Sequence, residues 1–177
     1  GEVIWFGGRT LDTPGYDLTG LFVGSEGTLG IATSIIVRIM RLPETVQTFL
    51  AIYRSLEEAG ESVSALIAAG MIPATLEMMD RLTIQAVEDS FHTGYPRDAE
   101  AVLIIELDGL RDGMDRLEKR IQEICLAHRA VEFRAAATAE ERESLWKGRK
   151  GAYGAIARIS TSCLIVDGVV PRTRLPE

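Results

Sequence analysis

The chain has 177 residues, 46% hydrophobic and 25% charged, with a formal net charge of −7 at pH 7. Those values describe a soluble globular chain, long enough for one sizeable core or for a small domain joined to a piece of another. The acidic balance, with no clustered Lys/Arg tract, argues against a nucleic-acid role, and no apolar run approaches the roughly 18 residues of a membrane helix.

In chain order, residues 3–6 are expected as a short strand, Gly7-Gly8 as a turn and Thr13-Pro14-Gly15 as a second turn. Residues 18–23 read as a strand, and so do the β-branched residues 31–41. Between them lies Gly24-Ser25-Glu26-Gly27-Thr28-Leu29-Gly30. Three glycines in seven positions admit left-handed backbone and close approach of a ligand, and the Ser25 and Thr28 hydroxyls add donors. Spacing alone leaves both a hairpin turn and a phosphate or cofactor loop open. It is neither a Gly-Lys-Ser/Thr phosphate loop nor a G-x-G-x-x-G opening a helix. Leu42-Pro43-Glu44 is the expected domain boundary, because proline ends a ladder and the pattern beyond it changes.

Residues 46–53 read as a strand, and Ser55-Leu56-Glu57-Glu58 as a capping box. The helix it opens has Leu56, Ala59, Val63, Leu66 and Ile67 on one face and ends at Gly70. Residues 74–79 are a strand. Asp80 caps a helix running to about Phe91, with Leu82, Ala86 and Phe91 inward, and residues 92–97 are loop. Residues 101–107 form the clearest buried strand. Asp112 is expected to cap a helix carrying Leu117, Ile121, Ile124, Cys125 and His128 on its apolar stripe, with His128 a packed or half-exposed histidine. Residues 130–134 are a strand, with Val131 and Phe133 on one face. Thr138-Ala139-Glu140-Glu141 opens a last helix to about Arg158, weakened by Gly148, Gly151 and Gly154. Residues 163–166 close as a strand, with Asp167-Gly168 as a turn.

Cys125 and Cys163 lie far apart in apolar surroundings and read as reduced, buried thiols. With only His92 and His128, no H-x-x-H motif exists, and no metal site is expected. The alternation of strand and helix after Pro43 fits either a parallel doubly wound sheet or an antiparallel ferredoxin-like α+β sandwich.

The full string Asp17-Leu18-Thr19-Gly20-Leu21-Phe22-Val23-Gly24-Ser25-Glu26-Gly27-Thr28-Leu29-Gly30-Ile31 resembles a signature of the FAD-linked oxidases of the vanillyl-alcohol oxidase superfamily. It is most similar to the flavin subunits of bacterial glycolate oxidases and their D-lactate dehydrogenase relatives. The resemblance continues through Ile72-Pro73-Ala74-Thr75-Leu76-Glu77-Met78-Met79-Asp80, Gly94-Tyr95-Pro96, Glu106-Leu107-Asp108-Gly109, Trp146-Lys147-Gly148-Arg149-Lys150 and Asp167-Gly168-Val169-Val170-Pro171-Arg172. It implies an antiparallel ferredoxin-like sheet with helices on one face as a substrate or cap domain (residues 44–177). Residues 1–43 are then the last strands of an FAD-binding domain. It also implies that the chain is a piece of a longer polypeptide, beginning late in that domain and stopping before the C-terminus. The family's pyrophosphate-binding segment would precede Gly1, and its metal-binding histidines, where present, would follow Glu177. The piece alone is expected to be inactive and to bind little or no FAD.

The resemblance further implies that Gly24, Ser25, Glu26, Gly27, Thr28, Gly30 and Ile31 contact the flavin cofactor. Oxidation of a 2-hydroxy acid also needs a cation to hold the carboxylate, for which a planar arginine fork is suited. Arg149 matches the family arginine with that role, ahead of Arg158, Arg172 and Arg174, and Tyr153 one helical turn on corresponds to a substrate-side polar position. By residue type alone Arg149 reads as a solvated helix arginine pairing with Glu143 or a nearby carboxylate. Glu77 and Asp80 read as cap or surface carboxylates, Trp146 as core, Lys150 as exposed, and Asp167 as a turn residue or one facing the flavin. Relatives carry a substrate lysine where Ile165 stands here. No residue is assigned as catalytic base. The implied reaction is FAD-dependent oxidation of glycolate or D-lactate to the 2-oxo acid. Electrons would pass to companion flavin-like and iron–sulfur subunits, in the cytoplasm or at the inner face of the membrane. Exposed apolar surface favours self-association of the piece. The competing reading is a ferredoxin-like small-molecule-binding or dimerisation module without catalysis.

Overall fold

The computed structural model describes residues 1–10, 15–160 and 162–176. Thr13 and Pro14 of the expected second turn lie outside them. The chain divides into two compact units, Gly1–Arg41 and Leu42–Glu177.

In the first unit the residues expected as a strand at 18–23 instead form a short helix, α1 (Leu18–Phe22). Its N-cap is Asp17, whose carboxylate accepts from the Gly20 N–H at 2.8 Å. Phe22 packs on Phe6 with ring centroids 5.5 Å apart. The strands expected at 3–6 and 31–41 do not form. A strand exists only through its ladder, and no described segment of this unit pairs with them. Ile31, Ile35 and Ile39 remain largely exposed in irregular backbone.

The second unit is built on a four-stranded antiparallel sheet. Its strands are β1 (Thr45–Tyr53), β2 (Thr75–Asp80), β3 (Ala101–Gly109) and β4 (Glu132–Ala135), in the order β2-β3-β1-β4. With α2 (Leu56–Ala68) between β1 and β2, and α4 (Met114–Ala127) between β3 and β4, this is the ferredoxin-like path. Two more helices are added to it: α3 (Arg81–Phe91) between β2 and β3, and α5 (Ala139–Ile156) after β4.

Strand alternation then decides which layer each residue meets. Phe49, Ala51, Tyr53, Leu103 and Ile105 pack with Leu66 of α2 and Ile121 and Cys125 of α4. Leu50, Ile52, Val102 and Ile104 pack with Ile84 and Val87 of α3 and Leu145 and Ala152 of α5. The expected helices on one face are α2 and α4; the correction is that α3 and α5 cover the opposite face as well. Near-continuous burial along β1 and β3 follows from this double cover, and each fully buried Leu or Ile contributes about 1.5–3 kcal/mol.

Local signals mostly hold. Ser55, Asp80 and Thr138 cap α2, α3 and α5 by accepting from the N–H groups of Glu58, Thr83 and Glu141. Asp112 does not cap α4; Gly113, at φ +88°, takes that place without a side-chain bond. Leu82 is exposed, and Ile84 and Val87 turn inward instead, because α3 packs on α5 as well as on the sheet. Leu117 and Val131 are also substantially exposed, whereas Phe133 stacks on Phe49 with centroids 5.4 Å apart. His128 is half-exposed at the end of α4, its Nδ1 3.6 Å from Glu61. Residues 163–166 form no strand and Asp167-Gly168 no turn; that segment is exposed and unpaired, and so is Cys163. Cys125 is a buried free thiol.

Candidate functional site

Arg149 stands about two-thirds of the way along α5, within side-chain reach of the edge strand β2. On β2, Leu76 and Met78 face the α2/α4 core while Met79 faces the α3/α5 core, so alternation directs Glu77 toward α5. There the Glu77 carboxylate accepts from Arg149 Nε at 2.8 Å. The pair is half-buried, with 39% of the arginine side chain and 32% of the glutamate side chain exposed. The two Nη groups of Arg149 have no hydrogen-bond partner among the described residues.

Arg149 lines an open cleft of about 430 Å³ with an apolar lining of Leu56, Met78, Met79, Ala152 and Leu175, to which Asp80 and Thr83 add polar groups. Asp80 is held as the α3 cap, 2.9 Å from the Thr83 N–H. Arg149 is the only cation among the described residues lining this cleft, and of the expected partners, Glu143 or a nearby carboxylate, it takes the latter, Glu77. Tyr153, one turn on, is exposed and is not among the lining residues, and Arg158 is exposed beyond the helix end.

What holds α5 in this position was not read from the sequence. Glu106 sits opposite Thr48 in the β1–β3 register, on the α5 face of the sheet. Its Oε2 accepts from Thr48 Oγ1 at 2.7 Å, from Trp146 Nε1 at 2.8 Å and from Arg142 Nη2 at 2.9 Å. Burial alone would raise this carboxyl, but the bonds from Thr48, Trp146 and Arg142 outweigh it and hold the group below its ordinary range. A second anchor is Glu88 of α3, which accepts from the Thr93 and Tyr95 N–H groups, both at 3.0 Å. Burial again opposes ionisation, and the donors of the 93–95 turn win, leaving Glu88 lowered. Tyr95 in turn donates its hydroxyl to the Leu145 carbonyl of α5. The detectable signals were a carboxylate inside the apolar run Val102-Leu103-Ile104-Ile105-Glu106-Leu107 and a glutamate on a buried helix face.

Gly148 and Gly151 let α5 lie this close. A Cβ on Gly148 would fall 2.5 Å from Tyr95 Cε2, and one on Gly151 2.3 Å from Phe91 Cε2. The expected weakening of α5 by glycine is therefore offset by helix packing, and the helix is continuous over 18 residues before ending at Ile156.

In the first unit, Gly24 and Gly27 take φ of +81° and +80°, and Glu26 between them is also left-handed at +49°. The Ser25 and Thr28 N–H groups bond within the loop, to Phe22 O and Ser25 O. Thr28 Oγ1 also donates to Ser25 O, at 2.6 Å, so that hydroxyl proton is engaged locally. The N–H groups of Gly24, Glu26 and Gly27 make no such bond among the described residues, and a Cβ on Gly24 or Gly27 would meet nothing within 4 Å. This is an open main-chain surface able to receive a polar, flat group. Among the described residues no three His, Cys, Asp or Glu side chains come together as a metal-binding set, and no helix is long and apolar enough to cross a membrane.

The second unit is thus a ferredoxin-like sheet covered by helices on both faces, and the glycine-rich loop lies in the unit before it in sequence. Residues 42–177 match the family model for the C-terminal domain of FAD linked oxidases, and the chain belongs to that family. It is 44% identical over 176 residues to glycolate oxidase subunit GlcD of Escherichia coli K12, covering 99% of this chain and 35% of that protein. The subunit GlcD of Bacillus subtilis is also 44% identical over 176 residues, covering 99% and 37%. A probable mitochondrial D-lactate dehydrogenase of Danio rerio is 32% identical over 165 residues, covering 92% and 33%. The fold is shared with solved alkyldihydroxyacetonephosphate synthase, at a TM-score of 0.60 and 18% identity over 82% of this chain and 29% of that one. The chain thus spans about a third of the length of these curated relatives.

Proposed function

We propose that this chain is the C-terminal portion of an FAD-dependent 2-hydroxy acid dehydrogenase, a glycolate oxidase flavin subunit acting on glycolate or D-lactate. Residues 1–43 close its FAD-binding domain, and residues 44–177 form most of its substrate domain. The similarity to two GlcD subunits over nearly the whole chain supports the reaction class. One observation carries the reading at the residue level: Arg149 lines a cleft with its Nε fixed by Glu77 and its Nη groups without a partner among the described residues.

When bound, FAD supplies the two-electron oxidant for the alcohol carbon. The main chain of Gly24, Ser25, Glu26, Gly27, Thr28, Gly30 and Ile31 would hold one edge of it, with the Gly24, Glu26 and Gly27 N–H groups, unbonded among the described residues, as donors. Arg149 binds the substrate carboxylate through its terminal nitrogens and so orients the alcohol carbon. Tyr153 adds a hydroxyl on the same helix, one turn further. Companion flavin-like and iron–sulfur subunits take up the electrons, and the assembly works in the cytoplasm or at the inner membrane face.

The test is Arg149→Ala in the full-length flavoprotein, assayed by dye reduction with glycolate and D-lactate. The apparent KM rises about 100-fold, the equivalent of a lost charge-assisted pair, while the melting temperature changes little because the arginine is half-exposed. An unchanged KM removes Arg149 from the site.

A further inference from the structure

We propose that Glu77 is a positioning and charge-selecting residue of the Arg149 cleft: it holds the guanidinium by its Nε edge and restricts the cleft to acids with a single carboxylate. The inference rests on the reading above, that Arg149 receives the substrate carboxylate.

A guanidinium presents two edges to a carboxylate, one through Nε and one through the paired Nη groups. Glu77 occupies Nε at 2.8 Å, and it comes from a strand whose backbone is fixed by pairing with β3, Glu77 lying opposite Ile104. That leaves one edge for substrate and one orientation for it. Without Glu77, a small acid could dock at either edge, and the long arginine side chain would lose its only anchor among the described residues.

The same residue sets the charge of the site. Arg149 is the only cation among the described residues lining the cleft; Glu77 neutralises it at contact distance, and Asp80 adds a negative charge to the lining. A monocarboxylate still gains two short bonds from the Nη groups, which act at close range. A second carboxylate on the substrate would lie along the Met78, Met79 and Ala152 lining, or beside Asp80, and no further cation among the described residues lines the cleft to meet it. An unpaired, desolvated charge is costly, so rejection arises from what the site withholds as much as from what it offers.

The experiment measures anaerobic flavin reduction in the full-length protein with glycolate and with D-malate, a 2-hydroxy dicarboxylate. The wild type is expected to favour glycolate in kcat/KM by at least about 100-fold. Glu77→Gln removes the charge and loosens Nε. It should raise the glycolate KM about tenfold with a smaller change in kcat, and raise the D-malate-to-glycolate ratio of kcat/KM about tenfold. Glu77→Asp keeps the charge but is one methylene short, so KM rises while the ratio stays put. A wild type that takes D-malate as well as glycolate overturns the proposal whether or not a variant folds. So does a Glu77→Gln protein with a lower melting temperature and an unmoved ratio, since the pair is then only structural. A wild type whose flavin no 2-hydroxy acid reduces overturns the proposed function itself, and this claim with it.

Discussion

The indole N–H of Trp146 donates to Glu106 Oε2 at 2.8 Å, joining α5 to the centre of the sheet across 40 residues of sequence. The same oxygen takes the Thr48 hydroxyl and the Arg142 guanidinium, so one carboxylate collects donors from two elements besides its own strand. Arg149 lies three residues beyond Trp146 on the same helix. The position of the cleft arginine therefore depends on a carboxylate that does not itself line the cleft.

Glu106→Ala should destabilise the protein by about 3 kcal/mol, because it strands three donors, two of them part-buried. Glu106→Gln keeps one acceptor and should cost about half as much. Trp146→Phe removes a single donor and should cost about 1 kcal/mol. Denaturant midpoints at constant m-value check the order, and Glu106→Gln as stable as wild type would show that the charge contributes nothing.

Acid should weaken the fold through the same group. Glu106 and Glu88 both titrate below the ordinary value of 4.5 in the folded state, because donors outweigh burial. A carboxyl lowered on folding contributes stability above its unfolded value, and that contribution is lost as pH falls through the folded one. Melting temperature should hold steady down to about pH 5 and then fall, and the fall should be smaller in Glu106→Gln. Equal acid sensitivity of the two proteins would contradict this.

The glycines of α5 should separate by what their missing Cβ would touch. Gly154→Ala meets nothing within 4 Å and should stabilise by about 0.5–1 kcal/mol through helix propensity. Gly148→Ala drives into Tyr95, which is buried and tied to the Leu145 carbonyl, and should cost about 1–3 kcal/mol. Gly151→Ala meets Phe91, a half-buried ring that can swing aside, and should fall between them. Thermal melts of the three single variants test the ranking.

Tyr53 offers a case where removing a polar group should do no harm. Its ring is fully buried, and its hydroxyl lies near Ser62 and Cys125 without a hydrogen-bond partner among the described residues. Burial pushes both the phenol and the Cys125 thiol upward, so neither ionises near neutrality. Tyr53→Phe should therefore be neutral or stabilising by up to about 1 kcal/mol, read from the denaturant midpoint. A clear loss of stability would mean that the hydroxyl has a partner.

Much of this protein is written locally. The caps at Ser55, Asp80 and Thr138, the helix stop at Gly70 and the buried run of β3 are each readable, because each depends on residues within a turn or on period-two burial. The motif strings also carried the family, since a glycine loop and the Trp146 to Lys150 segment are contiguous in sequence. Where a segment needs a distant partner, sequence pattern failed. Residues 31–41 and 163–166 have strand composition and no described ladder, and the 18–23 segment became a capped helix. The second helix layer was invisible because helical periodicity states that a face is buried, not which side of the sheet covers it. Only the tertiary structure brought Glu77 to Arg149 across 72 residues, through the parity of β2 and the close approach that Gly148 and Gly151 allow. Sequence fixes which groups can pair, while the packing of α5 on the sheet decides which of them do.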